Sequence, residues 1–212
     1  ERPTQQNSPD TEFGLSVNSR ARKVSAIRAF FRYLTDKKHL LETNPMASLE
    51  SPTIRKTLPV YLTADDSVKL LEAVQGEYAE RDYCILTLFL NCGLRVSELV
   101  GLNLTDFQRD TVRVTGKGDK DRQVYFSVRA RLMVQEYMVS RKGGTGLFVS
   151  NKSPYEPLKP RAIQRIIRAI SERAGLEKHV HPHLLRHTFA THALNGGMDV
   201  TVIQKLLGHE DV

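Results

Sequence analysis

The sequence predicts a mainly α fold with a small antiparallel β-sheet, an α+β arrangement divided into a short part and a long one. Three observations predict it. Apolar residues recur at helical spacing along most of the chain, the signature of amphipathic helices. Between Thr111 and Phe126 the period switches to two, so a hairpin is expected among the helices. A stretch without periodicity, punctuated by Pro45, Pro52 and Pro59, separates the first helix from the others. With 212 residues, 40% of them hydrophobic, the chain can bury one good core and a small second unit.

Residues 1–18 are polar and carry Pro3, Pro9 and Gly14, so a loose lead-in is expected. Glu1 in place of Met marks the chain as an expected fragment or processed form. From Asn18 or Ser19, Val24, Ile27, Phe31 and Leu34 fall on one helical stripe, with Arg20, Arg22, Lys23 and Arg28 mostly off it. Such a basic helix can lie along a phosphate backbone or simply present a solvated face. Residues 45–60, which include Arg55 and Lys56, read as a semi-rigid linker, giving parts 1–44 and 61–212. Thr63 then caps a helix carrying Val68, Leu70, Leu71 and Val74. A second helix, from about Tyr78 to Asn91, is apolar around most of its circumference and should be central to the larger part.

Gly93 ends that helix, and Arg95 leaves it close to the core. A buried guanidinium needs an anionic partner, either Glu98 or a substrate phosphate. Val112 and Val114 alternate on one strand, and Gln123–Phe126 answers them across the charged turn Gly116–Arg122, which carries Lys117, Lys120 and Arg122. This turn should be mobile, with Lys117 at its base able to present an ammonium to a ligand or merely to solvent. Residues 127–141 read as another amphipathic helix and Leu147–Ser150 as a short strand. From Pro160, a helix buries Ile163, Ile166, Ile167 and Ile170 and presents Arg161, Gln164, Arg165 and Arg168 on its opposite face. Arg and Gln near a helix start are the residue types that read purine edges in a major groove, and Lys159 beside them could hold a phosphate.

The stretch from His181 to His209 is the richest in chemistry. Pro182 opens a helix and Gly196–Gly197 follows its end. His183 and Arg186, three residues apart, share one face of it. Asp199 is a good N-cap for a further helix with Ile203, Leu206 and Leu207, Gly208 is its stop, and His209 follows. A guanidinium flanked by imidazoles is suited to the oxygens of a phosphate. His187 and His192, on the same helix, are expected to be packing residues, as are Thr188, Phe189 and Ala190.

The charge balance narrows the class of partner. Thirty-one Lys and Arg against 24 Asp and Glu give a net charge of +7, which favours a polyanion. Cys84 and Cys92, eight apart in an apolar run, suit neither a zinc knuckle nor a disulfide framework and read as buried thiols of a reducing compartment. No apolar run reaches spanning length and no signal peptide opens the chain, so no membrane partner and a cytoplasmic location are expected. Crowded His179, His181, His183 and His187 raise the alternative of metal-dependent phosphodiester hydrolysis. No Asp or Glu lies between Lys178 and Gly197, however, and a hard metal would want carboxylates. A helical DNA-binding regulator without chemistry is the other alternative.

Four motifs in order carry a resemblance. GLRVSEL around Arg95, GKGDKDR around Lys117, HPHLLRH with His183 and Arg186, and LLGHE with His209 resemble those of the tyrosine recombinases, and their wording is most similar to that of the bacterial Xer recombinases. The resemblance implies a catalytic domain over 61–212 and, over 1–44, part of a helical core-binding domain that clamps DNA. It further implies that Arg95 and Arg186 hold the non-bridging oxygens of a scissile DNA phosphate. Lys117 would protonate the departing 5′ oxygen, while His183 and His209 bond the phosphate and assist proton transfer.

The same resemblance implies strand exchange through a 3′-phosphotyrosyl intermediate on a double-stranded recombination site, by a homo- or hetero-tetramer on paired sites, with no metal, ATP or other cofactor. None of the seven tyrosines, the last being Tyr155, stands where the nucleophile belongs. That tyrosine is expected just beyond Val212, so the chain as given should bind DNA without cleaving it. Contacts to DNA are expected from Arg20, Arg22, Lys23, Arg28, Arg55, Lys56, Lys120, Arg122, Lys159, Arg161, Gln164, Arg165 and Arg168.

Overall fold

The computed structural model describes residues 14–54, 60–108, 111–115 and 121–208. The chain divides into two compact units, Glu1–Pro59 and Val60–Val212.

In the first unit, Ser16 accepts the Ser19 N–H at 3.2 Å and starts helix α1, Val17–Arg32, slightly earlier than the periodicity suggests. A π-helical turn, Tyr33–Lys37, extends it. No residue of α1 is buried: Val24 and Phe31, like Leu34 of the π-helical turn, are half-covered, and Ile27, expected on the same stripe, is 45% exposed. Arg28 reaches back to the Ser51 hydroxyl at 2.9 Å and to the Leu49 carbonyl, tying the returning chain to the helix.

The second unit is built around α3, Ala79–Cys92, on which Cys84, Ile85, Leu86, Leu88 and Phe89 are wholly buried. Packed against α3 are α5, Val128–Ser140, and α7, Pro182–Asn195. Before it comes α2, Ala64–Glu72, started by a reciprocal capping box between Thr63 and Asp66. Gly93 ends α3 in the left-handed conformation, φ 59°, where a Cβ would stand 2.4 Å from Phe189 Cδ1 and 2.9 Å from Leu207 Cδ2. Only glycine allows the end of α3 to approach α7 and the final helix so closely.

After the short α4, Val96–Val100, strands β1, Thr111–Thr115, and β2, Asp121–Tyr125, form a two-stranded antiparallel sheet. Its register pairs Val112 with Val124 and Val114 with Arg122. The expected strand at Leu147–Ser150 does not form. Leu147 and Phe148 are buried as an apolar run should be, but their neighbours are two different loops, so only the isolated bridges Asn103–Gly146 and Val149–Pro157 occur. Pro157 has no N–H with which to continue a ladder.

Helix α6, Pro160–Arg173, buries Ile163, Ile167 and Ile170 as its stripe predicts. Helix α8, Val200–Leu207, begins where Asp199 accepts the Thr201 N–H at 2.7 Å and stops at Gly208, φ 61°. Among the described residues no helix is long and apolar enough to cross a membrane.

Candidate active site

The end of α3 delivers Arg95 to the N-cap position of α4, which places Glu98 one turn on. Glu98 Oε2 accepts the Arg95 backbone N–H at 2.8 Å, and Oε1 accepts its guanidinium at 2.9 Å. The Glu98 side chain is wholly buried, and two further guanidiniums converge on it. Arg122 donates from β2 at 2.8 Å, and Arg186 of α7 lies at 3.8 Å. A carboxylate of this kind would be costly to bury alone, but three cations of its own chain surround it. Among the described residues, three guanidiniums thus meet one carboxylate, an excess of two positive charges.

The same three arginines also meet the last turn of α8. Arg122 donates to the Leu206 carbonyl, Arg186 to the Leu207 carbonyl, and Arg95 to the Gly208 carbonyl at 3.1 Å. A helix end leaves its final carbonyls without intrahelical partners and carries partial negative charge, so cations are favoured there. Arg186 gives its other amino group to the Gly93 carbonyl at 2.6 Å. One buried side chain thus joins the ends of α3 and α8.

Burial pushes the Glu98 carboxyl up, but the Arg95 N–H and the Arg122 and Arg95 guanidiniums outweigh it and hold the group below its ordinary value. Burial, reinforced by the neighbouring Arg95 charge, brings Arg186 down to about 10, which leaves it charged at neutral pH. Of the three arginines Arg95 is the most open, its side chain 34% exposed against 15% for Arg122 and 6% for Arg186.

Beside this cluster runs a groove of ≈810 Å³. It is lined by Arg161, Gln164, Arg165 and Arg168 of α6, by the segment His179–His183, and by Val96, the residue after Arg95. His183 is exposed, one helical turn before buried Arg186. His181 caps α7, its Nδ1 accepting the Leu184 N–H at 3.2 Å. Burial lowers its pKa, and the adjacent His179 and His183 act in the same direction.

The structure therefore gathers Arg95 and Arg186 at one carboxylate and sets His183 and the α6 side chains along one groove. Lys159 is exposed directly before α6, and Arg168 pairs with Glu172 at 2.8 Å on the surface. Two residues expected to face DNA are placed otherwise. Arg28 binds Leu49 and Ser51 of its own unit, and Arg122 turns inward. Arg20, Arg22 and Lys23 lie on α1. Arg55, Lys56, Lys117, Lys120 and His209 lie outside the described residues.

His192 is a packing residue, bonding the Leu62 carbonyl at 2.8 Å, and His187 Nε2 is buried with no hydrogen-bond partner among the described residues. No group of three His, Cys, Asp or Glu there is placed to hold a metal ion.

Sequence reasoning missed two participants. The Arg122 side chain shares a strand face with buried Val124, so extending the period-two reading one step past Gln123 would have turned it inward. The carbonyls of Leu206–Gly208 carry no side-chain signal.

Residues 60–212 match the model of the phage integrase family. The chain is 41% identical over 201 residues to tyrosine recombinase XerC of Caldanaerobacter subterraneus subsp. tengcongensis, an alignment covering 92% of this chain and 56% of that protein. It thus spans little more than half the length of that relative. The crystal structure of XerA recombinase superposes with a TM-score of 0.66 at 31% identity, covering 89% of this chain and 75% of that one. The post-cleavage complex of XerH site-specific recombinase with a palindromic difH substrate shares the fold, with a TM-score of 0.75 at 23% identity over 93% of this chain and 62% of that one. By its family match and its likeness to Xer recombinases, the chain belongs to the phage integrase family, the tyrosine recombinases.

Proposed function

We propose that this chain is the DNA-binding, phosphate-activating part of a site-specific recombinase. Residues 61–212 act as its catalytic domain, residues 45–60 as a linker and residues 1–44 as part of a DNA clamp. The observation that carries the reading is the convergence of Arg95 and Arg186 on Glu98 beside a groove lined by His183 and the basic face of α6.

Phosphoryl transfer is mostly positioning and stabilisation of charge on the equatorial oxygens. Arg95, the most open guanidinium, turns toward those oxygens, and Arg186 supplies a fixed positive charge behind them. His183 and His209 bond the phosphate. A tyrosine hydroxyl, supplied by a segment following Val212, attacks phosphorus and forms a 3′-phosphotyrosyl bond, its proton passing to an imidazole of the His183–His209 pair. The bond from phosphorus to the 5′ oxygen breaks, and Lys117 gives that oxygen its proton. The retained ester drives rejoining to a partner duplex, so ATP is not needed. Arg161, Gln164 and Arg165 read the major groove while Lys159 and Arg168 hold phosphates. The complete enzyme works in the cytoplasm as a tetramer on paired sites.

The test uses the chain extended past Val212 to include its tyrosine, incubated with a nicked duplex bearing its site and a chelator. A protein–DNA adduct on a denaturing gel, abolished by Tyr→Phe and reduced at least about 10²-fold by Arg95→Ala, is the expected result. Tight DNA binding with no adduct would replace this reading with that of a helical DNA-binding regulator.

A further inference from the structure

We propose that Arg122 is a positioning residue for the phosphate clamp, tying the carboxylate that holds Arg95 to the helix end that precedes His209. The inference deepens the recombinase reading and rests on it. Strand register sets Arg122 opposite buried Val114, on the face it shares with Val124. From there one amino group reaches Glu98 Oε2 at 2.8 Å, the oxygen that also accepts the Arg95 N–H. The other reaches the Leu206 carbonyl. A planar guanidinium can make both bonds from one fixed fork, whereas an ammonium is a single point of charge.

Gly208 is shaped around this side chain. At φ 61°, a Cβ there would stand 2.7 Å from Arg122 Cδ and 2.8 Å from Nε. Nε itself is buried with no hydrogen-bond partner among the described residues, so the stem of the arginine is packed and only its fork is bonded. With 15% of its side chain exposed, Arg122 is placed to hold the clamp and not to reach a ligand in the groove. In sequence it stands five residues after Lys117 and three before Tyr125 closes β2, so the strand that carries it follows Lys117 closely in the chain. One side chain thereby links α4, the hairpin and α8, the three elements that carry or adjoin Arg95, Lys117 and His209.

The experiment compares Arg122→Ala, Arg122→Lys and Gly208→Ala in the extended protein, measuring adduct formation at saturating nicked duplex, DNA Kd against salt, and calorimetric affinity for inorganic phosphate. Arg122→Ala is expected to slow adduct formation about 10²-fold, the scale of a small misplacement of reacting groups, while DNA Kd and its salt slope hold. Arg122→Lys recovers only part of the rate, because it restores charge without the fork. Gly208→Ala slows the reaction with Arg122 intact, and adding Arg122→Ala to it costs less than in the wild type.

A weakened Kd with a salt slope reduced by about one, at an unchanged rate, would make Arg122 a phosphate contact and overturn the proposal. Full recovery by Arg122→Lys would overturn it too. If even the wild type forms no adduct, the recombinase reading fails by itself, and the phosphate affinity decides on Arg122. A loss of about tenfold in Arg122→Ala that Arg122→Lys does not restore supports the positioning role, and restoration by Arg122→Lys, or equal or undetectable binding in wild type and Arg122→Ala, overturns it.

Discussion

Thr188 accepts the N–H of Leu62 at 3.0 Å across 126 positions of sequence, while its own hydroxyl donates to the Leu184 carbonyl at 2.9 Å. One turn further along α7, His192 bonds the Leu62 carbonyl. Both peptide groups of Leu62, a residue with no exposed surface, are therefore satisfied by side chains of the helix that carries His183 and Arg186. Thr188→Val keeps the shape and removes the hydroxyl, which strands a buried N–H. A loss of about 1–3 kcal/mol in urea unfolding is expected, with Thr188→Ser retaining most of the stability.

Glu98→Gln leaves three guanidiniums around a neutral side chain. Removing one partner of a buried ionic cluster should cost roughly 3 kcal/mol. The dependence on acid carries a sign that can be checked. Because the folded carboxyl titrates below its ordinary value, its contribution is complete above that value and is lost as pH falls through the folded one. Wild-type unfolding midpoints should therefore drop from pH 5 toward pH 3 more steeply than those of Glu98→Gln.

His181 gives a second, separable pH effect. Its Nδ1 must be unprotonated to accept the Leu184 N–H, and its folded pKa lies below the ordinary histidine value. Burial first, and then His179 and His183, disfavour the charged ring, so the stability that goes with neutral His181 is complete above that ordinary value and is lost as pH falls past it toward the folded one. His181→Asn keeps a capping acceptor that does not titrate. Thermal unfolding from pH 7.5 to 5 should decline in the wild type and stay flatter in His181→Asn.

The face of α6 predicts how DNA binding divides between backbone and base contacts. On the proposed reading Arg168 leaves its surface pair with Glu172 for a phosphate, so Arg168→Ala should weaken all sequences alike and lower the salt slope by about 0.9. Gln164→Ala should leave the slope unchanged and relax the preference at one base position, by about 1–3 kcal/mol. Titrations of matched and mismatched duplexes at several salt concentrations check both.

How much of this was legible in the sequence depends on whether a residue's partner lay nearby in the chain. Helices α6, α7 and α8 follow directly from Pro160, Pro182 and Asp199 at their starts and from Gly196 and Gly208 at the ends of the last two. The pairing of Arg95 with Glu98 was within reach because it spans three residues. Convergence of Arg122 and Arg186 on the same carboxylate was not, since it depends on how the β1–β2 sheet packs against α4 and α7 against α3. The segment at Leu147 misled because burial produces an apolar run whether or not a continuous partner strand exists. Ile27 misled for the opposite reason. Its stripe is amphipathic, yet among the described residues of the first unit little covers it.

The end of α8 is held at three successive carbonyls by side chains rooted in three different elements: the start of α4, strand β2 and helix α7. Three attachments that do not share an element behave as a tripod: they remove tilt and sliding together, where one or two would leave a hinge axis. The mount is therefore fixed up to and including the left-handed Gly208, whose own carbonyl is its third leg.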